Sequence, residues 1–426
     1  MSDTPSYIPV ASDKLQVWLD YLEKFHPTEI DMGLERVSQV AANAGVLTPA
    51  PYVITVGGTN GKGSTVCYLE EMLSAAGYKT AVYTSPHIVK YEERVRINRK
   101  MLPEQSHAEA FSVINEARQQ TSLTYFEFGT LAALHLIKQA EVDVAILEVG
   151  LGGRLDAVNC VEPDVSVITS VGIDHIAFLG DDREQIGREK AGIARNNKPL
   201  IFGDENAPES IKESTDTIGA KLIQVGKDFF RKEFEKDWEY RSHRVYARHL
   251  PKPKLPLINA STAIAAIEHL PLPVSLDAIK MGLISAALPG RMQVAQYKGI
   301  DVLLDVAHNP QAADYASKYI ASNYKNKPVY AVIGMLSDKD HVGVKTALEQ
   351  IITQWFVGTL KEPRGEHAEK LVGVMALTDN YRAFDSVNAA FESAIEKASQ
   401  YDEKPLVFVF GSFYTVSSVN QLIVGA

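Results

Sequence analysis

Val53-Ile54-Thr55-Val56-Gly57-Gly58-Thr59-Asn60-Gly61-Lys62-Gly63-Ser64-Thr65 is the stretch whose reading decides the fold. An apolar, β-branched run gives way to glycines and then to a segment of helical periodicity, so it predicts a strand, a glycine-rich turn and a helix. Phosphate is the natural guest of such a turn. Glycines let backbone N–H groups face an anion, the helix N-terminus adds its dipole, and Lys62 can reach a terminal phosphate as a point charge. Ser64 or Thr65 can contact the phosphate or its metal. The spacing departs from the strict P-loop pattern, since three residues separate Gly57 from Gly61 and a glycine stands between Lys62 and Ser64. A flexible strand-to-helix turn is the plainer alternative.

Outward from this turn, short apolar runs alternate with helix-period segments, the pattern of a parallel α/β sheet. After a helical stretch over 14–25, strands are expected at 52–56, 80–84, 142–149 and 165–171, each apolar enough to be buried on both faces. Helices are expected after Gly61 and over 104–120, 128–139 and 183–194. The segment 227–256 scatters Trp238, Tyr240, Val245 and Tyr246 among charges and ends in PKPKLP. It reads as a small solvated hairpin with a stiff connector, a poor core candidate. Helical patterns follow over 259–270 and 275–287, then the turn Leu288-Pro289-Gly290-Arg291. Strands resume at 302–306, 329–335, 355–359 and 406–410. The expected fold class is therefore α/β: a large, doubly wound, mostly parallel P-loop-type domain over 1–288, plus a smaller Rossmann-like α/β domain over 289–426.

Size and composition agree with two domains. The 426 residues exceed one usual core, and 46% hydrophobic with 23% charged residues is ordinary for a soluble globular protein. A net charge of −10 argues against a nucleic-acid or anionic-membrane binder. Two cysteines, Cys67 and Cys160, make no disulfide framework, and the N-terminal residues show no targeting pattern, which points to the cytoplasm.

Other motifs sit at predicted strand ends, where ligands collect in doubly wound sheets. Glu148 closes an apolar strand before Gly150-Leu151-Gly152-Gly153-Arg154. A lone buried carboxylate is costly, so a metal ion or an arginine such as Arg154 is expected to balance it. His175, in Ser170-Val171-Gly172-Ile173-Asp174-His175, is expected to project into the same crevice and could share a metal with an oxygen donor; a satisfied structural histidine is the alternative. Lys190 alone reads as a surface lysine. In the second domain, Asp305 could accept hydrogen bonds from a nucleotide, while His308, Asn309 and Ser412 could hold a small polar amino acid or simply cap the helices that follow.

Together these segments resemble the Mur ligase superfamily, and within it the bifunctional dihydrofolate synthase/folylpolyglutamate synthase family. GTNGKGST (58–65), TSPHIVKYEERVRI (84–97), LTYFEFGTLAAL (123–134), ILEVGLGGRLDAVN (146–159), IDHIAFLG (173–180), REKAGI (188–193), LPGR (288–291), DVAHNP (305–310) and GSF (411–413) occur in the family's order. The resemblance implies ATP held by Asn60, Gly61, Lys62, Gly63 and Ser64, with Asn259, Arg291 and Asp305 also contacting nucleotide. It implies two Mg²⁺ positions, one at Ser85 and Glu148 and one at His175, and a Lys190 that can be carbamylated. The pterin side falls to Asp31, Met32, Thr124, Tyr125, Phe126, Arg154, Leu155, Asp156 and Ala157, and glutamate to His308, Asn309 and Ser412. Lys62, Lys190, His175 and His308 carry the implied catalytic roles. The implied partners are dihydropteroate, reduced folate and L-glutamate, with no nucleic acid, no membrane and a monomeric state. Three rivals remain open: a monofunctional folylpolyglutamate synthase, a cell-wall precursor ligase and a non-catalytic nucleotide-binding regulator.

Overall fold

The computed structural model describes residues 7–26, 28 and 30–424. The chain forms two compact units, Met1–Ala286 and Ala287–Ala426, dividing two residues before the boundary expected from the LPGR turn.

The first unit carries strands β1 (Tyr52–Gly57), β2 (Thr80–Tyr83), β3 (Val95–Ile97), β4 (Lys100–Met101), β5 (Val144–Glu148), β6 (Val165–Ile168), β7 (Pro199–Phe202) and β8 (Lys221–Gln224). They form one sheet in the order β4-β3-β2-β5-β1-β6-β7-β8. From β2 to β8 the pairs are parallel, and only β3 and β4 add an antiparallel edge. The interior strands β2, β5 and β6 are buried throughout, as continuous apolar runs in a sheet covered on both faces must be. β1 lies between β5 and β6, which the chain visits later, so the winding changes direction there. In register, Val56 pairs with Glu148 and Gly57 with Ile168. The turns leaving β1, β5 and β6 therefore open side by side, at the place where doubly wound sheets bind ligands.

Residues 227–256 correct the sequence expectation of a solvated hairpin. They form a three-stranded antiparallel sheet of β9 (Phe229–Glu233), β10 (Asp237–Ser242) and β11 (Tyr246–Pro251). Phe229, Trp238, Tyr240 and Leu250 are fully buried, while Tyr246 is exposed. Trp238 Nε1 donates to the Pro251 carbonyl at 3.0 Å. Alternation explains the miss: one face of β10 buries Trp238 and Tyr240 while its charges point out, and an overall count of charges hides that period of two. The sheet packs on helices Leu257–Ile267 and Leu276–Ser285.

The second unit carries β12 (Gln293–Tyr297), β13 (Ile300–Leu304), β14 (Val329–Ile333), β15 (Gln354–Gly358), β16 (Tyr381–Phe384) and β17 (Leu406–Phe410), in the order β12-β13-β17-β14-β15-β16. All neighbours are parallel except the β12–β13 pair. Helices such as Pro310–Asn323 and Val387–Ser399 follow the strands and bury apolar residues in two cores, one centred on Leu303, Ala331 and Phe408 and the other on Val302, Val332 and Phe391.

Candidate functional site

The glycine-rich turn is held open by its neighbours. Gly58 has φ +140° and Gly61 φ +89°, and a Cβ on either would strike Thr169 Oγ1 at 2.0 Å or Asn259 Oδ1 at 2.5 Å. Both positions therefore need glycine. Gly61 is the N-cap of the helix Lys62–Ala75, and no side chain caps it. The N-cap thus offers no side-chain oxygen to the start of that helix, as suits a helix N-terminus that receives an anion. The residue after β6 fixes the turn: Thr169 Oγ1 donates to the carbonyls of Gly57 (3.2 Å) and Asn60 (2.6 Å). Ser170 Oγ accepts from Asn60 N at 3.1 Å, and Thr59 N donates to the Ser170 carbonyl at 2.9 Å. Lys62 folds back over the turn, Nζ donating to the carbonyls of Gly58 (2.9 Å) and Thr59 (3.2 Å). Ser64 is buried in the first turn of the helix, and Asn259 reaches the turn from the helix Leu257–Ile267. Thr169 and Ser170 escaped the sequence reading, although two hydroxyls ending an apolar strand were the available signal.

Beside this turn, Glu148 ends β5 and is 6% exposed. Arg154, the arginine weighed as its counter-charge, forks onto Glu189 instead, with Nη2 2.7 Å from Oε1. Asp156 accepts from Leu151 N (2.8 Å) and Val158 N (3.0 Å), bending residues 150–158 into a closed loop. Burial pushes its carboxyl up to about 6, against those hydrogen bonds and the attraction of Lys62. The loop meets the other pterin candidates directly. A Cβ on Gly150 would strike the Phe126 ring at 2.4 Å, and one on Gly152 would lie 3.5 Å from Met32 Cε. Asp31 is tied to the same region through Arg36, which bonds Asp31 Oδ2 at 2.5 Å and Glu127 Oε1 at 2.9 Å. Thr124 is the N-cap of the helix Tyr125–Gln139 in a capping box with Glu127. Leu155 and Ala157 complete the loop, Ala157 opening a short 3₁₀ turn.

Lys190 corrects its reading as a surface lysine. It is 4% exposed on the helix Arg183–Ala191. Burial and the nearby Lys62 lower it to about 7, partly opposed by Asp174 and Asp156. Lys62, Lys190, Asp156 and Asp174 thus share one neighbourhood. His175 stands in the left-handed region at φ +53°, heading the short helix Ile176–Leu179, and its N–H donates to Asp174 Oδ1 at 2.8 Å. Ser85 follows β2 and is half-buried. Among the described residues no three His, Cys, Asp or Glu side chains converge as a metal cage. A serine hydroxyl and one carboxylate still fit Mg²⁺, which takes few protein oxygens and completes its octahedron with water and phosphate.

In the second unit, Asp305 lies just past β13, its carboxylate accepting from Met292 N and Ala307 N, both at 2.9 Å. Burial raises it, while Arg291 pulls it back. The Arg291 guanidinium lies over the Phe413 ring at 5.4 Å. His308 Nδ1 is 2.8 Å from the Val306 carbonyl, and its ring centroid is 6.5 Å from that of Phe413. Asn309 caps the helix Pro310–Asn323 through Ala312 N at 3.0 Å, and Ser412 Oγ accepts from Thr415 N at 3.0 Å. Arg291, His308 and Phe413 thus adjoin, with two cap residues beside them.

The match to known proteins follows this geometry. The Mur ligase middle domain matches residues 56–258, and the Mur ligase, glutamate ligase domain matches 290–413. Fold and site thus define an ATP-dependent ligase of the Mur type. The chain is 48% identical to the dihydrofolate synthase/folylpolyglutamate synthase of Escherichia coli (strain K12) over 415 residues, 97% of each. It matches the structure of Escherichia coli FolC in complex with DHPP and ADP with a TM-score of 0.95 and 47% identity, covering 98% of this chain and 99% of that one. A bifunctional folylpolyglutamate synthase/dihydrofolate synthase with Mn, AMPPNP and L-glutamate bound matches with a TM-score of 0.92 and 44% identity, over 99% of this chain and all of that one. The chain belongs to the dihydrofolate synthase/folylpolyglutamate synthase family. No helix among the described residues is long and apolar enough to cross a membrane.

Proposed function

We propose that this chain ligates L-glutamate to dihydropteroate, giving dihydrofolate, and to reduced folates, giving folylpolyglutamates, while ATP is cleaved to ADP and phosphate. The observation that carries the reading is the uncapped helix N-terminus behind Gly61, with Lys62 above it and Glu148 on the adjoining strand.

A carboxylate is a poor electrophile whose oxygen is a poor leaving group. The substrate carboxylate therefore attacks the ATP γ-phosphate, forming an acyl phosphate and ADP; the glutamate amine then attacks the acyl carbon and phosphate departs. Gly61, Gly63 and Ser64, with Asn60 beside them, orient the phosphates through backbone N–H and hydroxyl donors of the helix start, and Lys62 meets the charge on the transferring group. Asn259 adds a nucleotide contact within the first unit, and in the second unit Arg291 and Asp305 are the residues this reading gives to nucleotide. Ser85 and Glu148 would hold one divalent cation and His175 a second, and such cations would supply charge neutralisation at phosphate oxygens. A Lys190 amine lowered to about 7 is substantially neutral at neutral pH, so it can add to CO₂ with loss of a proton. The resulting carbamate is an anion beside the Lys62 cation. Asp31, Met32, Thr124, Tyr125, Phe126 and the loop from Arg154 through Leu155 and Asp156 to Ala157 receive the pterin. Glutamate falls to His308, with Asn309 and Ser412 flanking it. This reading takes the protein as a cytoplasmic monomer; Cys67 and Cys160, which form no disulfide, suit a reducing compartment.

The test is phosphate release with Mg-ATP and glutamate, supplying dihydropteroate or tetrahydrofolate in turn and weighing the products. Release with both, with one glutamate mass added to each, is expected. Activity with tetrahydrofolate alone would reduce the enzyme to its polyglutamylating reaction, and silence with both would leave a nucleotide-binding protein.

A further inference from the structure

Arg94 is a buried cation with no carboxylate partner among the described residues. It is 8% exposed at the end of the 3₁₀ turn Tyr91–Arg94. Its Nε donates to His87 Nδ1 at 3.0 Å, and the Tyr83 hydroxyl is its other polar neighbour. Its guanidinium lies over the rings of Tyr91 (5.2 Å) and Tyr125 (5.5 Å). No carboxylate pairs with it among the described residues; the charges that bear on it are tyrosines, whose phenols are neutral at ordinary pH. The adjacent Glu93 turns away and accepts from the N–H groups of Ile88, Val89 and Lys90. Two other arginines differ, the half-buried Arg96 and the buried Arg118. Arg96 forks onto Glu70, with Nη2 2.6 Å from Oε2, and Arg118, also 8% exposed, donates to Asn115 and to the carbonyls of Gln119 and Thr121. A buried guanidinium presents a planar fork suited to a carboxylate and stays charged at any working pH.

Position narrows the choice of carboxylate. The Arg94 carbonyl accepts from Thr84 N at 2.9 Å, one residue before Ser85 at the phosphate end of the site. Its guanidinium stacks on Tyr125, next to Phe126 at the pterin end. A folate lying between these ends would bring a glutamyl residue to Arg94, with a γ-carboxylate that reacts and an α-carboxylate that does not. Dihydropteroate has no such second carboxylate. We propose that Arg94 determines acceptor specificity by binding the α-carboxylate of the terminal glutamyl residue of a folate. The proposal rests on the bifunctional reading above.

The experiment compares wild type, Arg94→Gln and Arg94→Lys with three acceptors: dihydropteroate, tetrahydrofolate and tetrahydrofolate α-amide. Arg94→Gln should raise KM for tetrahydrofolate about 30-fold or more while moving KM for dihydropteroate less than about threefold, the range expected for losing one buried charge-assisted pair. Arg94→Lys should fall between. In wild type the α-amide should lose as much as Arg94→Gln loses with the acid, and in Arg94→Gln amide and acid should be alike. Equal losses with both pterins, or wild-type turnover of the amide at the rate of the acid, overturns the proposal. The amide comparison needs only wild type, so a variant that fails to fold leaves the proposal testable. Wild-type inactivity toward both pterins would instead remove the bifunctional reading itself.

Discussion

Two strand-end turns in this protein look alike in sequence and behave differently in structure. Gly57 to Lys62 leaves β1 and enters the helix Lys62–Ala75; Asp305 to Pro310 leaves β13 and enters the helix Pro310–Asn323. The first helix begins at a left-handed glycine with no side-chain cap. The second begins at Asn309, which caps Ala312 N, with proline following at the first helical position. The first helix has no capping side chain at its N-cap, whereas the second is capped from within by Asn309. A helix start that omits its own cap, and spends two glycines and a lysine instead, is the stronger sign of an anion site.

The comparison breaks most readily at Lys62. Lys62→Ala should lower kcat by about 10²–10³, as removal of one preorganised transition-state donor does. It should move the thermal midpoint by only about 2–4 °C, since the side chain bonds just two carbonyls of its own turn. Phosphate release and a melting curve on the same preparation decide it. Unchanged turnover would leave the uncapped turn without its cation and without its role.

Lys190 sharpens the first region further. Its amine gains nucleophilicity as pH rises through about 7, because the protonated form cannot add to CO₂. In enzyme stripped of CO₂, bicarbonate should therefore raise kcat more at pH 8 than at pH 6, and ¹³C-bicarbonate should give a carbamate resonance that Lys190→Ala lacks. Lys190→Ala should lose about 10–100-fold in activity, the usual cost of removing a group that supports metal ligands. No resonance and no bicarbonate effect at pH 8 would return Lys190 to an ordinary buried lysine.

A smaller effect is expected at Gly61. Alanine there must hold φ near +89° and place its Cβ 2.5 Å from Asn259 Oδ1. A strained position of this kind costs about 1–3 kcal/mol. Because the strain sits in the phosphate turn, KM for ATP should rise about tenfold while KM for glutamate stays fixed. If both constants are unchanged, the turn is more pliable than its packing suggests.

How much of this was legible in the sequence follows from the range of the interactions involved. The buried parallel strands and the glycine turn are written locally, as apolar runs and as residues that only tight backbone tolerates, and these were readable. Trp238 and Tyr240 were misread because burial on one face of a strand depends on what packs against it, here two helices formed by later residues. Lys190 was misread for the same reason: nothing in Arg188-Glu189-Lys190 announces that its amine lies near Lys62 and Asp156, far away in sequence. Arg94 shows the limit most sharply, since the lack of a counter-charge among the described residues becomes visible only once their carboxylates have been placed.

The second turn offers the finest test. Asn309 has two candidate tasks, capping the helix Pro310–Asn323 and holding glutamate beside His308. Asn309→Ala removes the cap and should destabilise the full chain by about 1 kcal/mol. If capping is its main task, kcat and KM for glutamate should change less than about threefold, and Asn309→Asp, which keeps the accepting oxygen, should restore stability. A rise of about 30-fold or more in KM for glutamate, with stability intact in the aspartate variant, would make this turn a receiver of ligand like the first. The distinction between a capped and an uncapped helix start would then fail, because a side chain can cap and bind at once.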